Sequence, residues 1–312
     1  MVRLFLIGNF SVLFMIPLFI IGYDFFWLNF QQDTFQNDFF LWGSVSLPPI
    51  TSLIIANIFI YLNAIHLNYI FNVNSFLERN TYLPALIYII ASSFFTFFYV
   101  FSIDTIAHFL LILIIGQILR IPFSEERKAL LFNTFFVLGL LVTISPEEFV
   151  LLVFLIFLLN RFIILKLNDL LIIFCSFLVP FLYAFSFRFL SSFDDLFNEN
   201  FQIIMNYENE FLKLFLIAIF ILTYSFFGFK ERLYSAGLQI KNRLQILMAF
   251  SLMFVLTSII SSNSLEIDEK ISYAYIPLTF LLTFAFIKRT YSLISTSIFY
   301  LVTLFSLLKF LI

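Results

Sequence analysis

Lys and Arg fall in every second gap between long apolar runs, and most Asp and Glu fall in the remaining gaps, the pattern of a chain threaded back and forth through a membrane. Eleven apolar runs can be read: Leu4 to Gly22, Pro48 to Phe71, Tyr82 to Phe101, Ala107 to Leu119, Ala129 to Ile144, Phe149 to Leu165, Leu170 to Phe187, Phe211 to Phe229, Leu244 to Ser261, Tyr273 to Ile287 and Tyr291 to Leu308. A hydrocarbon core of about 30 Å takes about 20 residues per helix, so the shorter runs must end in the headgroup region or be shielded by neighbours. Runs such as Leu151 to Leu159 carry no alternating polar residues, which argues against a β-barrel. The expected fold is therefore all-α, a polytopic bundle of about 11 spans forming a single domain over residues 1–312.

With the N-terminus inside, the basic residues of the cytoplasmic gaps are Arg3, Arg79, Arg120, Arg127, Lys128, Arg161, Lys166, Lys230, Arg232, Lys241, Arg243, Lys288 and Arg289. Only Arg188, Lys213, Lys270 and Lys309 fall outside. Most carboxylates run the other way, with Asp24, Asp33, Asp38, Asp104, Glu147, Glu148, Asp194 and Asp195 among those outside. A missed span would scramble this sorting downstream of it, so the orientation read is N-in and C-out.

Composition narrows the class further. Charged residues make up 12% of the chain, about half of what a soluble domain carries, and mean hydropathy is +1.05. Net charge is −2 with no basic patch, so nucleic acid is not an expected partner. Cys175 stands alone inside an apolar run, and disulfides are not expected. The first run has the charge and length of a secretion signal, but Ile20-Ile21-Gly22-Tyr23 lacks a small-x-small cleavage pattern, so it is expected to stay as a helix. The 50 Phe residues fit the codon bias of an AT-rich genome and support no cofactor; none is expected, and no metal.

Few residues suggest chemistry, and each has a structural reading beside the functional one. The segment from Tyr23 to Gly43 holds both tryptophans with Asp24, Asp33 and Asp38, and is expected to lie in the membrane interface. Its tryptophans suit an aromatic belt; Asp24, at the mouth of the first span, is the candidate catalytic base. In the second run, Asn57 and Asn68 share a helical face while Asn63 and His66 point the opposite way. Such groups commonly join helices, yet His66 also suits a proton relay. Asp104 and His108 are four apart and meet on one face near the outer surface, as a cap or an acid–base pair. Asn63, His66, Asp104 and His108 are thus a candidate polar intramembrane site. Ser124 reads as an N-cap with Glu125 and Glu126 in the first helical turn. Asp194-Asp195 sits in an outer, amphipathic segment and reads either as a solvated acidic face or as oxygen ligands for a divalent ion. Glycine-rich phosphate loops, CxxC, HExxH and GxSxG are absent from the sequence.

Arg120, Arg127, Ala129-Leu130-Leu131-Phe132-Asn133, Gly139-Leu140, Ser145-Pro146-Glu147, Asn160-Arg161, Asp169-Leu170-Leu171-Ile172 and Pro180-Phe181 follow one another in an order that resembles a multi-pass inner-membrane family of Bacteroidota, a domain of unknown function. The resemblance covers Leu110 to Ser186. Members sometimes carry the label beta-carotene monooxygenase; such iron enzymes use four histidines, and this chain has only His66 and His108. In layout the chain also resembles membrane glycosyltransferases that use polyprenyl-phosphate sugars, whose acidic residue after the first span faces the periplasm. That resemblance implies Asp24 as base and Arg188 or Lys213 as a contact for the lipid phosphate. The large periplasmic C-terminal domain frequent in that class has no counterpart here.

Together these readings lead to an inner-membrane protein of envelope biogenesis. It is expected to be a lipid-linked sugar transferase, with membrane and polyprenyl-phosphate lipids as partners, or a non-catalytic subunit of an export or assembly complex with membrane-protein partners. A secondary transporter would show paired Gly/Pro-broken spans, and Gly116, Gly139, Pro180 and Pro277 are not so placed. The orientation is tested by single cysteines in a Cys175-free background. Replacements of Gln36, Asn198 and Leu265 should react with an impermeant thiol reagent on intact spheroplasts, and those of Ser124 and Ala236 should not; labelling at Ser124 without permeabilisation reverses the assignment.

Overall fold

Residues 5, 10–30, 48–191, 225–226, 228–261, 267–286 and 292–308 are described by a computed structural model. Among them the chain is all-helical, with no strand. The helices are α1 (Met15–Phe30), α2 (Pro49–Val73), α3 (Leu83–Ser92), α4 (Ile103–Ile118), α5 (Arg127–Ile144), α6 (Phe149–Phe162), α7 (Leu167–Ser191), α8 (Leu238–Ser261), α9 (Ile267–Thr283) and α10 (Ser292–Leu308). Residues 228–235 form a further helical stretch. Five segments are long and apolar enough to cross a membrane: Val12–Asn29, Pro49–Val73, Ile103–Phe123, Arg127–Ile144 and Leu167–Ser186. Their free faces are lined with large apolar side chains, such as Leu18, Ile21 and Phe25 on α1 and Ile50, Ile54, Ile58 and Leu62 on α2. Repeating every three to four residues, these stripes suit contact with lipid rather than water.

All ten residues of α3 are buried, which places this short helix in the core. At 1.5 Å per residue it is about 15 Å long, half a hydrocarbon core. The sequence reading carried one span from Tyr82 to Phe101; the helix instead stops at Ser92, and residues 93–102 run through turns and a 3-10 turn at Thr96–Phe98. Such backbone survives at membrane depth only where protein satisfies its polar groups. Here Ser52 Oγ accepts from the Phe101 amide at 2.8 Å, Tyr99 Oη donates to the Ser93 carbonyl at 2.9 Å, and Ser93 Oγ donates to the Ile90 carbonyl at 2.8 Å. Ser102 and Thr105 then close a capping box that starts α4.

Two other boundaries depart from expectation. Helix α1 continues to Phe30, so Tyr23, Asp24 and Trp27, read as the start of an outer loop, belong to a helix. Their side chains find partners elsewhere in the fold: Tyr23 Oη lies 2.6 Å from Ser306 Oγ of α10, and Trp27 stacks on Tyr99 of the broken segment with centroids 5.0 Å apart. A helix whose polar side chains are satisfied laterally has no reason to end at them. Helix α5 starts at Arg127, with Glu126 rather than Ser124 at the N-cap; Ser124 Oγ accepts from the Glu126 amide at 3.2 Å.

Helices α5 and α7 pack most closely. Arg127 pairs with Asp169 at the start of both helices, and Gly139 lets α5 approach α7 around Pro180. A Cβ on Gly139 would stand 2.5 Å from the Phe177 carbonyl oxygen and 2.9 Å from Pro180 Cγ. Gly139→Val should therefore lower thermal stability in detergent by roughly 1–3 kcal/mol through overpacking. Gly22→Ala, where nothing lies within 4 Å of the added Cβ, should be neutral in the same melts.

Candidate functional site

Polar side chains buried in an apolar bundle are costly unless paired, so their pairing maps where this protein concentrates its chemistry. Two groups emerge. The larger begins at the N-terminus of α4, where Asp104, one-twentieth exposed, accepts a hydrogen bond from Tyr273 Oη of α9. One turn further along α4, His108 is 1% exposed. Its Nε2 lies 2.9 Å from Ser272 Oγ of α9, and its Nδ1 lies 3.3 Å from Tyr88 Oη of α3. Asn63 Nδ2 of α2 donates to the same tyrosine oxygen at 3.3 Å. The Phe97 ring, from the broken segment, covers the imidazole at a centroid distance of 4.2 Å.

The four-residue spacing of Asp104 and His108 does place both on one face, but successive residues of α9 serve them separately: Tyr273 takes the carboxylate and Ser272 the imidazole. Glu148 adds a second carboxyl. It ends the 3-10 turn Pro146–Glu148 between α5 and α6, is 8% exposed, and senses the charge of Asp104. Burial, and then the Asp104 charge, push its carboxyl up to about 7. Two carboxyls in one dry environment cannot both ionise freely, so one is held near neutrality as a proton acceptor or donor.

The second group is Asp24 and Asn57. Asn57 Nδ2 donates to Asp24 Oδ2 at 2.6 Å, tying α2 to α1. Asp24 is 7% exposed, and its Oδ1, like Asn57 Oδ1, has no hydrogen-bond partner. One carboxylate oxygen is held and the other is buried without a partner, an unsatisfied acceptor that makes this pair a candidate site.

His66 stands apart from both groups. It is half-buried and lies near Gly116, whose added Cβ would be 3.9 Å from His66 Nε2. The Arg188 side chain and Lys213 lie outside the described residues, as do Asp33, Asp38, Asp194 and Asp195. Among the described residues no group of three or more His, Cys, Asp or Glu could hold a metal ion. Sequence reasoning named Asp24, Asn63, Asp104 and His108 but missed Tyr88, Ser272 and Tyr273, which lie in or at the edge of apolar runs with nothing local to distinguish them; only their packing against α4 does so. Comparison with protein-family models, curated proteins and solved structures gave no match.

Because the folded protein holds Glu148 above its ordinary value of 4.5, it binds more protons than the unfolded chain between about pH 4.5 and about pH 7. Stability from this group is therefore present at low pH and lost as pH rises through about 7. Melting temperatures in detergent should fall across that window in the wild type, and Glu148→Gln should flatten the decline.

Proposed function

We propose that the protein is a multi-pass inner-membrane transferase of bacterial envelope biogenesis that moves a sugar from a polyprenyl-phosphate lipid, with Asp24 as the general base. The N-in, C-out arrangement of about 11 spans belongs to the same proposal and puts Asp24 toward the periplasmic side. The observation that carries it is the state of the Asp24 carboxylate, buried, oriented through Oδ2 by Asn57, and unengaged at Oδ1. In the reaction, Oδ1 takes the proton of an acceptor hydroxyl as that oxygen bonds to the anomeric carbon. The bond from that carbon to the lipid phosphate breaks, and the polyprenyl phosphate leaves with the bonding electron pair. Arg188 and Lys213 are the cations proposed to receive the phosphate. Placement within a membrane helix supports a lipid-borne substrate, since the donor's chain can reach the carboxylate without leaving the bilayer.

Asp24→Asn keeps the shape and the Asn57 contact but removes the basicity. In a deletion strain it should insert normally yet lower the envelope glycan it makes by about 100-fold or more, the scale of a lost general base. Full complementation by Asp24→Asn would instead favour the second reading, a non-catalytic subunit of an export or assembly complex, for which a stoichiometric membrane partner should survive purification.

A further inference from the structure

Asn63, Tyr88, His108 and Ser272 come from four separate helices and form one continuous chain of hydrogen-bonding groups. Each of the four is at most 1% exposed. Asn63 donates to the Tyr88 oxygen, leaving the Tyr88 hydroxyl proton for His108 Nδ1. The imidazole proton then sits on Nε2 and points to Ser272 Oγ. The next residue, Tyr273, packs its ring on His108 at a centroid distance of 5.5 Å and donates to Asp104. At the opposite end, Asn63 Oδ1 is fully buried and has no partner.

A cluster that merely glued helices together would satisfy its own groups and stop. This one ends in an unsatisfied acceptor at mid-length of α2 and in the Ser272 hydroxyl, next in sequence to the tyrosine that holds Asp104. Between them lie a hydroxyl and an imidazole, each able to accept a proton on one side while releasing one on the other. We propose that Tyr88, His108 and Ser272 form a proton relay leading from a water-binding point at Asn63 Oδ1 to the Ser272 hydroxyl on α9. A hydronium ion beside Asn63 gives a proton to the Tyr88 oxygen and leaves as water, and the tyrosine hydroxyl proton passes to Nδ1. The Nε2 proton passes to Ser272 Oγ, which releases its own proton to a water on the α9 side. One proton enters, one leaves, and rotation of the hydroxyls with return of the imidazole tautomer resets the chain. The relay is independent of the transferase reading, which rests on Asp24.

With only two histidines in the chain, selective ¹⁵N-histidine labelling in lipid nanodiscs isolates the test. The His108 ring N–H should exchange with bulk water much faster than buried backbone amides, despite its burial. Ser272→Ala and Tyr88→Phe should each slow that exchange by about tenfold or more, within the ~10²–10⁴-fold that a positioned proton-transfer group supplies. Ser272→Thr, which keeps the hydroxyl, should retain fast exchange, and an unmoved His66 signal reports that each variant is folded. Exchange as slow as the buried amides in the wild type, or a rate unchanged in either Ser272→Ala or Tyr88→Phe, overturns the relay. Where Ser272→Ala shifts the His66 signal, slow exchange in a folded Ser272→Thr overturns it equally.

Discussion

Inside a bilayer a backbone N–H or C=O has no water to bond, and each one left open costs several kcal/mol by the usual reckoning of about 2–7 kcal/mol per group. The most informative part of this fold is where that constraint is nearly broken. Residues 93–102 leave helical geometry within a chain of membrane-spanning proportions, and they do so beside α3, whose every residue is buried. Ser52 and Ser93 take up the loosened backbone groups, while Tyr99 caps the Ser93 carbonyl. The same short segment puts Phe97 on His108, Phe98 on Tyr23 and Tyr99 on Trp27. An uninterrupted helix over these residues would turn successive aromatics to different faces and serve neither polar group.

This interruption separates and shapes the two polar groups. On one side lie Asp24 and Asn57, joining α1 to α2; on the other lie Asn63, Tyr88, His108, Ser272, Tyr273 and Asp104, drawn from four helices. Aromatic rings close over His108, and a low-dielectric wall strengthens every interaction inside while raising the cost of any unpaired charge. The protein thus holds its few ionisable side chains where protonation can be controlled by a neighbour. Glu148 is the clearest case, since it lies outside the spans and still is driven toward neutrality by burial and by Asp104.

Helix packing elsewhere uses simpler means. Gly139 allows α5 and α7 to meet at backbone distance, and a charged pair at Arg127 and Asp169 fixes their shared end. Where Gly228 faces the Phe284 carbonyl, an added Cβ would stand 2.4 Å away, the same device in the second half of the chain. Close approach of backbones supplies the dispersion that the hydrophobic effect cannot supply between helices already in lipid.

Helical class and membrane residence were legible from the one-dimensional pattern alone, because twenty-residue apolar runs have few other stable outcomes and Lys and Arg mark the turns. Asp24, Asp104 and His108 were also legible, since an ionisable residue in or at the mouth of such a run is conspicuous. Three things were not. Helix α1 runs on past Tyr23 because Ser306 and Asn57 satisfy its polar side chains, and those partners are hundreds or tens of residues away in the chain. The span read from Tyr82 to Phe101 breaks at Ser92 because distant hydroxyls such as that of Ser52 replace the lost helical bonds. Tyr88, Ser272 and Tyr273 became part of a site only when α3 and α9 packed against α4. Sequence composition decides what must be buried; which polar groups meet there depends on the arrangement of helices, because hydrogen-bond geometry is satisfied in space and not along the chain.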